Sequence, residues 1–162
     1  MKILETNAVE LLLDDKIATI VMNDKENAMN TWTDNMYEGF VAALYEIKDR
    51  IKKSEIDGVI VISGKEKTFH TVANLNKTGK TQDRKADKMR TIEFNQSVLN
   101  RLSKLGVPTL AAINGHCMGG GMELTLACNA RIATDFARRK SGLPRPVSVC
   151  CLPEAERKGF PA

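Results

Sequence analysis

Gly119-Gly120-Gly121, followed two residues later by Glu123, sets a carboxylate beside a stretch of backbone that carries no Cβ. Glycines let main-chain N–H groups approach a ligand closely, and a helix starting at such a turn adds unpaired donors and the positive end of its dipole. A turn of this kind can stabilise developing negative charge, while a glutamate in the first helical turn can take up or release a proton. His116-Cys117, just upstream, could be drawn as a metal-binding or nucleophilic pair. Adjacent side chains leaving a strand point in different directions, which favours a packed turn.

The elements around this run must position it. Thr109-Leu-Ala-Ala-Ile113 reads as a buried strand leading into the turn, and the residues from Glu123 to Cys128 as the helix leaving it. Earlier, Ala8-Val-Glu-Leu-Leu-Leu-Asp14 and Ile17-Ala-Thr-Ile-Val-Met22 flank the polar break Asp15-Lys16 and predict a β-hairpin. Asn30 or Thr31 is the expected cap of a helix running to about Lys53, with Met36, Phe40, Ala43, Leu44, Ile47 and Ile51 forming its core stripe. Gly58-Val-Ile-Val-Ile-Ser63 has the continuous apolar pattern of a strand buried on both faces. A polar loop is expected from Gly64 to Lys88, then a second helix from about Asp87 to Leu105, ended by Gly106-Val-Pro108. Ala130-Arg-Ile-Ala-Thr134 supplies a last short strand. Alternating strands and helices predict an α/β layer protein with parallel strands.

Composition narrows the function classes. The chain has 162 residues, 43% hydrophobic and 27% charged, which is a globular profile of single-domain size. The longest uncharged run, Leu105 to Met122, is interrupted by Pro108, Asn114, His116 and several glycines, so it reads poorly as a membrane span. No signal-peptide apolar region follows Met1, and a cytoplasmic setting is expected. The net charge of +4 resides entirely in the residues from Arg138 onward, and aromatics are only 5%, which argues against a nucleic-acid partner. Cys117, Cys128, Cys150 and Cys151 lack paired spacing, so neither a metal site nor a disulfide framework is indicated.

Together these pieces resemble the enoyl-CoA hydratase/isomerase (crotonase) superfamily, most closely the hydratase domain of the bacterial fatty-acid oxidation multienzyme. The likeness covers about Val9 to Pro144. Its most specific part is Val107-Pro-Thr-Leu-Ala-Ala-Ile-Asn-Gly-His-Cys-Met-Gly-Gly-Gly-Met-Glu-Leu, similar to the family's P-x-I/V-A-A-I-x-G-x-x-x-G-G-G-x-E-L. Glu26-Asn-Ala-Met-Asn30 looks like the family's N-A turn, and Phe69-His-Thr-Val-Ala-Asn-Leu75 aligns with F-x-A-G-A-D-I/L, with Val72 standing for a glycine and Asn74 for an aspartate. The resemblance implies a crotonase-like ββα-spiral fold and an acyl-CoA thioester substrate, coenzyme A entering as part of the substrate and no separate cofactor or metal. It assigns the oxyanion-binding N–H groups to Ala73 and Gly120 and the first catalytic glutamate to Glu123. The family reaction is reversible hydration of trans-2-enoyl-CoA in fatty-acid β-oxidation, with two glutamates holding one water. Relatives form trimers and hexamers, so a homo-oligomer is expected.

The family pattern G-L-P-E-x-x-L-G-L-L-P-G-x-G-G-T-Q-R-L-P stops matching at Pro144, and Arg145 stands where the second glutamate belongs. Four of the five prolines and two of the four cysteines lie from Pro144 onward. Synonymous codons exist for Pro144 to Ala162 that, with one base restored in the first codon, encode Pro-Glu-Ala-Cys-Leu-Gly-Leu-Leu-Pro-Ala-Gly-Gly-Arg-Thr-Gln-Arg-Leu-Pro-Gly, the missing motif. The expectation is a partial crotonase domain over 1–144, C-terminally incomplete, and an irregular frameshifted tail over 145–162; sequencing the gene and its downstream frame tests it. A deliberate short form with a novel tail is the alternative. An incomplete sheet would leave an edge and apolar faces exposed, favouring marginal stability, swapping or association. Three activities follow from this reading: hydration, an enoyl-CoA isomerisation that uses Glu123 alone, or acyl-CoA binding and assembly without turnover.

Overall fold

A computed structural model of the chain describes residues 1–71 and 84–134, the stretch 84–91 as backbone only. The expected hairpin is present. Strand β2 (Val9–Asp14) pairs antiparallel with β3 (Ile17–Met22), and Asp14 lies opposite Ile17. Asp15 turns the chain with φ +51°, a conformation its short polar side chain tolerates. A strand not foreseen from the sequence, β1 (Lys2–Glu5), adds antiparallel to the outside of β2.

Beyond the hairpin the sheet becomes parallel. β3 pairs with β4 (Gly58–Ser63), β4 with β6 (Thr109–Ile113) and β6 with β8 (Ala130–Ala133), giving the order β1-β2-β3-β4-β6-β8. Two further short strands, β5 (Thr68–His70) and β7 (His116–Cys117), pair parallel as a separate sheet. Parallel neighbours require crossovers, and helices α1 (Asp34–Lys52), α2 (Arg84–Ser103) and α3 (Gly120–Leu126) lie in those connections. The α/β architecture with parallel strands therefore matches the expectation from sequence.

Period-two alternation points Leu11, Ile20, Met22, Val61, Ala111 and Ile113 to one face of the sheet, where they are buried. Met36, Phe40, Ala43, Leu44 and Ile47 of α1 join the same core, at the spacing that places them on one helical stripe. Val98 and Leu102 of α2 also enter it. Each of the larger side chains among these stabilises the fold by about 1.5–3 kcal/mol relative to leaving it in water. Gly39 lets α1 settle on β2, since a Cβ there would stand 2.9 Å from that of Val9.

Two expectations need correction. The cap of α1 is Thr33, whose hydroxyl accepts from the Met36 N–H at 3.2 Å, rather than Asn30 or Thr31. The chain reaches Thr33 before turning helical because Asn30 is committed elsewhere, as described below. β4 is also not buried on both faces: Val59 and Val61 are fully covered, whereas Ile60 and Ile62 are only half-buried. Gly106, at φ +87°, follows the end of α2 as anticipated. Among the described residues no helix is long and apolar enough to cross a membrane.

Candidate active site

The site is assembled where the small sheet meets the glycine turn. The His70 carbonyl at the end of β5 accepts from the Met118 N–H at 3.2 Å, the Met118 carbonyl accepts from the Gly121 N–H at 3.0 Å, and the Gly119 carbonyl accepts from the Glu123 N–H at 3.1 Å. These bonds fold the backbone tightly from β7 into α3. Gly119 takes φ +54° and ψ −121°, a conformation that strongly favours glycine. Gly120 and Gly121 are required for a different reason, namely space. A Cβ on Gly121 would lie 2.2 Å from the His70 carbonyl oxygen, and one on Gly120 would lie 2.5 Å from Cδ1 and Nε1 of Trp32. Among the described residues the Gly120 N–H meets no acceptor, which leaves it available to a ligand.

Below the turn runs a continuous aromatic layer. Phe94 of α2 meets Tyr37 of α1 edge-on with centroids 5.1 Å apart, Tyr37 stacks on Trp32 at 4.8 Å, and Trp32 lies 4.7 Å from the His70 ring. Phe40 closes the underside, edge-on to Trp32 at 5.7 Å. The layer thus links three elements that the sequence separates widely. It also carries unmet polarity: among the described residues Trp32 Nε1 and both ring nitrogens of His70 are buried without a hydrogen-bond partner. Burial pulls the imidazole of His70 down to about 4, with the neighbouring Thr71 backbone opposing the shift. His70 is therefore neutral across the physiological range.

Asn30 holds the two sheets together. Its side-chain NH2 donates to the carbonyls of Met22 and Phe69 and to the Ser63 hydroxyl, at 2.9, 3.1 and 2.9 Å, and its Oδ1 accepts from the Asp24 N–H at 3.1 Å. The Asn30 carbonyl then accepts from the Thr71 N–H at 2.9 Å. One buried amide thus ties the ends of β3, β4 and β5, and it fixes the start of the segment leading to Ala73. Ala73 itself, like Pro144, Arg145 and the tail over 145–162, lies outside the described residues.

Glu123 is exposed at a cleft of about 410 Å³ lined also by Ile92, Asn95, Gln96, Leu99 and Asn100 of α2. Its Oε2 accepts from Asn95 Nδ2 at 2.8 Å. Tyr37, beneath, is pushed up to about 12 by burial, with the charges of Glu123 and Asp34 adding to the shift, so its phenol stays protonated. Cys117 is buried with its thiol pushed up to about 12 by desolvation, and its Sγ lies 3.8 Å from Met122 Sδ. A thiol in that state packs rather than attacks, though His116-Cys117 forms strand β7 and not the turn expected from the sequence.

The far end of α3 is anchored as firmly as its start. The buried guanidinium of Arg131 donates to the Thr125 carbonyl at 2.9 Å, and the Asn129 carboxamide binds both the backbone and the hydroxyl of Thr109. The structure therefore unites Gly120, Glu123, Tyr37, Trp32, His70 and Asn95 in one region. Sequence reading had singled out only the first two. Tyr37 and Phe40, three apart, carried a signal of shared helical face, whereas nothing local marked Trp32, which precedes α1, or His70 and Asn95.

A protein-family model described as enoyl-CoA hydratase/isomerase matches residues 13–145. The chain is 33% identical over 141 residues to the fatty acid oxidation complex subunit alpha of Idiomarina loihiensis, covering 86% of this chain and 19% of that protein. The corresponding protein of Shewanella frigidimarina is 36% identical over the same length and coverage. Among solved structures, an enoyl-CoA hydratase from Geobacillus kaustophilus superposes with a TM-score of 0.73 at 26% identity, over 87% of this chain and 49% of that one. The chain thus spans about a fifth of the curated relatives it matches and about half of the solved enzyme.

Proposed function

This chain belongs to the enoyl-CoA hydratase/isomerase family, and on that premise we propose that its site binds an acyl-CoA thioester and moves a proton at the carbon next to the thioester carbonyl. The observation that carries the reading is the unengaged Gly120 N–H in a turn that also delivers Glu123 to an open cleft. As the α-carbon gains or loses a proton, charge accumulates on the carbonyl oxygen. A main-chain donor fixed in advance stabilises that charge without reorganising. Ala73 would supply the second donor, by its place in the sequence motif. Coenzyme A enters with the substrate, and the chemistry calls for no metal or further cofactor.

For the family reaction, reversible hydration of trans-2-enoyl-CoA, water adds to the β-carbon and a proton to the α-carbon. That scheme is suited by two carboxylates, one drawing a proton from water while the other supplies one. The family match ends at residue 145, and by the motif resemblance Arg145 would stand where the second glutamate belongs. This favours a second reading in which Glu123 alone carries a proton between the γ- and α-carbons of an enoyl-CoA, an isomerisation. An acyl-CoA-binding role without turnover is the remaining reading. We also propose, on the resemblance alone, that the chain self-associates as its relatives do.

Incubation with crotonyl-CoA, followed by loss of its conjugated absorbance, separates these readings when paired with a CoA-binding measurement and a 3-enoyl-CoA substrate. Conversion of either substrate that disappears in Glu123→Gln supports an enzyme. Binding without conversion supports the non-catalytic reading, and absence of both removes the acyl-CoA assignment.

A further inference from the structure

We infer that Asn95 is a positioning residue for Glu123, holding one carboxylate oxygen so that the other is presented to the cleft as the proton-exchanging atom. This rests on the acyl-CoA reading above for its catalytic meaning, though the contact stands by itself. Asn95 Nδ2 donates to Glu123 Oε2 at 2.8 Å across the gap between α2 and α3. The amide orientation follows from chemistry, because the reverse would set Oδ1 against a carboxylate oxygen, acceptor facing acceptor. With Oε2 occupied as an acceptor, Oε1 becomes the site for the proton.

A second observation marks the pair as more than surface decoration. Asn95 Oδ1 is buried and has no partner among the described residues. Asparagine is also a poor helix former, and it occupies the interior of a twenty-residue helix. Alanine at this position would suit the helix better and strand no acceptor. The residue is thus explained by what it holds and not by what it adds to α2.

Among the described residues, those lining the cleft beside Glu123 are uncharged. From α1 the titratable group facing it is Tyr37, whose phenol stays neutral. From α2 the cleft presents the uncharged Asn95, Gln96 and Asn100, and below the turn β5 presents His70, neutral above about pH 4. Removing the Asn95 donor should therefore register directly at the Glu123 carboxylate.

The test is 13C NMR of the full chain labelled at glutamate carboxyls, with Glu123→Gln assigning the resonance. In Asn95→Ala the Glu123 carboxyl resonance at neutral pH should move from its position in the unsubstituted chain, while the melting temperature holds or increases. Asn95→Gln should return the resonance towards its original position. An unmoved resonance in Asn95→Ala overturns the proposal, as does a movement accompanied by loss of the fold in both variants. Crotonyl-CoA and 3-enoyl-CoA conversion on the same samples separates this inference from the one it rests on. A moved resonance in a chain that converts neither substrate upholds the positioning and removes the catalytic reading. Conversion lost in Glu123→Gln yet unaltered in Asn95→Ala across pH removes the role in catalysis.

Discussion

The sheet of β2, β3 and β4 with α1 on it, and the junction of β5, β7 and α3, are built on opposite principles. In the first, strands of six residues pair in full register and bury mostly apolar side chains, among them Val9, Leu11, Ile20, Met22, Val59 and Val61, at alternate positions. In the second, strands of two and three residues are held by glycines that admit backbone to within contact of other backbone, above a layer whose Trp32 and His70 nitrogens find no partner among the described residues. The first region buries mostly apolar side chains and supplies stability. The second gives up packing depth and hydrogen bonds; among the described residues the Gly120 N–H meets no acceptor there, and Glu123 lines an open cleft.

If the division is right, substitutions in the two regions should have different signatures. Phe40→Ala empties the centre of the α1 contact, where the ring is fully buried, and should lower unfolding free energy by about 3–5 kcal/mol in a denaturant titration. Acidification should come next, through the junction. His70 sits at about 4 in the fold against 6.5 in its ordinary state, so the unfolded chain binds the proton first as pH falls. The stability that neutral His70 allows is complete above about pH 6.5 and is lost as pH falls towards 4, by about 3 kcal/mol. His70→Leu should flatten that dependence and leave or raise stability at neutral pH, because it removes two unpartnered nitrogens.

Gly121→Ala should cost about 1–3 kcal/mol and abolish turnover, since the obstructing atom is the His70 carbonyl and the backbone must move. Gly120→Ala meets only the side chain of Trp32, which can tilt, so its melting temperature should fall less than that of Gly121→Ala. Glu123→Gln, at an exposed position, should change stability by no more than about 0.5 kcal/mol while removing conversion. Equal stability losses in Phe40→Ala and Glu123→Gln would erase the distinction between the regions.

The sequence exposed the first region almost completely and the second only in part. Val9 to Met22 alternate around a two-residue break, and Met36 to Ile47 recur at helical spacing, so local periods reported both hairpin and helix. β5 and β7 are too short to show a period, and their pairing joins residues nearly fifty positions apart. Asn30 looked like a cap because asparagine commonly is one, yet its amide is occupied by Met22, Ser63 and Phe69, contacts that only the tertiary fold creates. Gly120 and Glu123 were legible because their motif is contiguous. Asn95 was not, since its partner lies on another helix and its own residue type argued only for a weaker α2.

The central claim, that Glu123 moves a proton beside a thioester carbonyl bound at Gly120, is tested most directly by α-proton exchange. Butanoyl-CoA in deuterated buffer, followed by proton NMR, should lose its α-proton signal in the presence of the chain. In Glu123→Gln the exchange should slow by about a hundredfold or more, with CoA binding retained. Exchange at the same rate in Glu123→Gln, or none in either chain despite binding, would contradict the account.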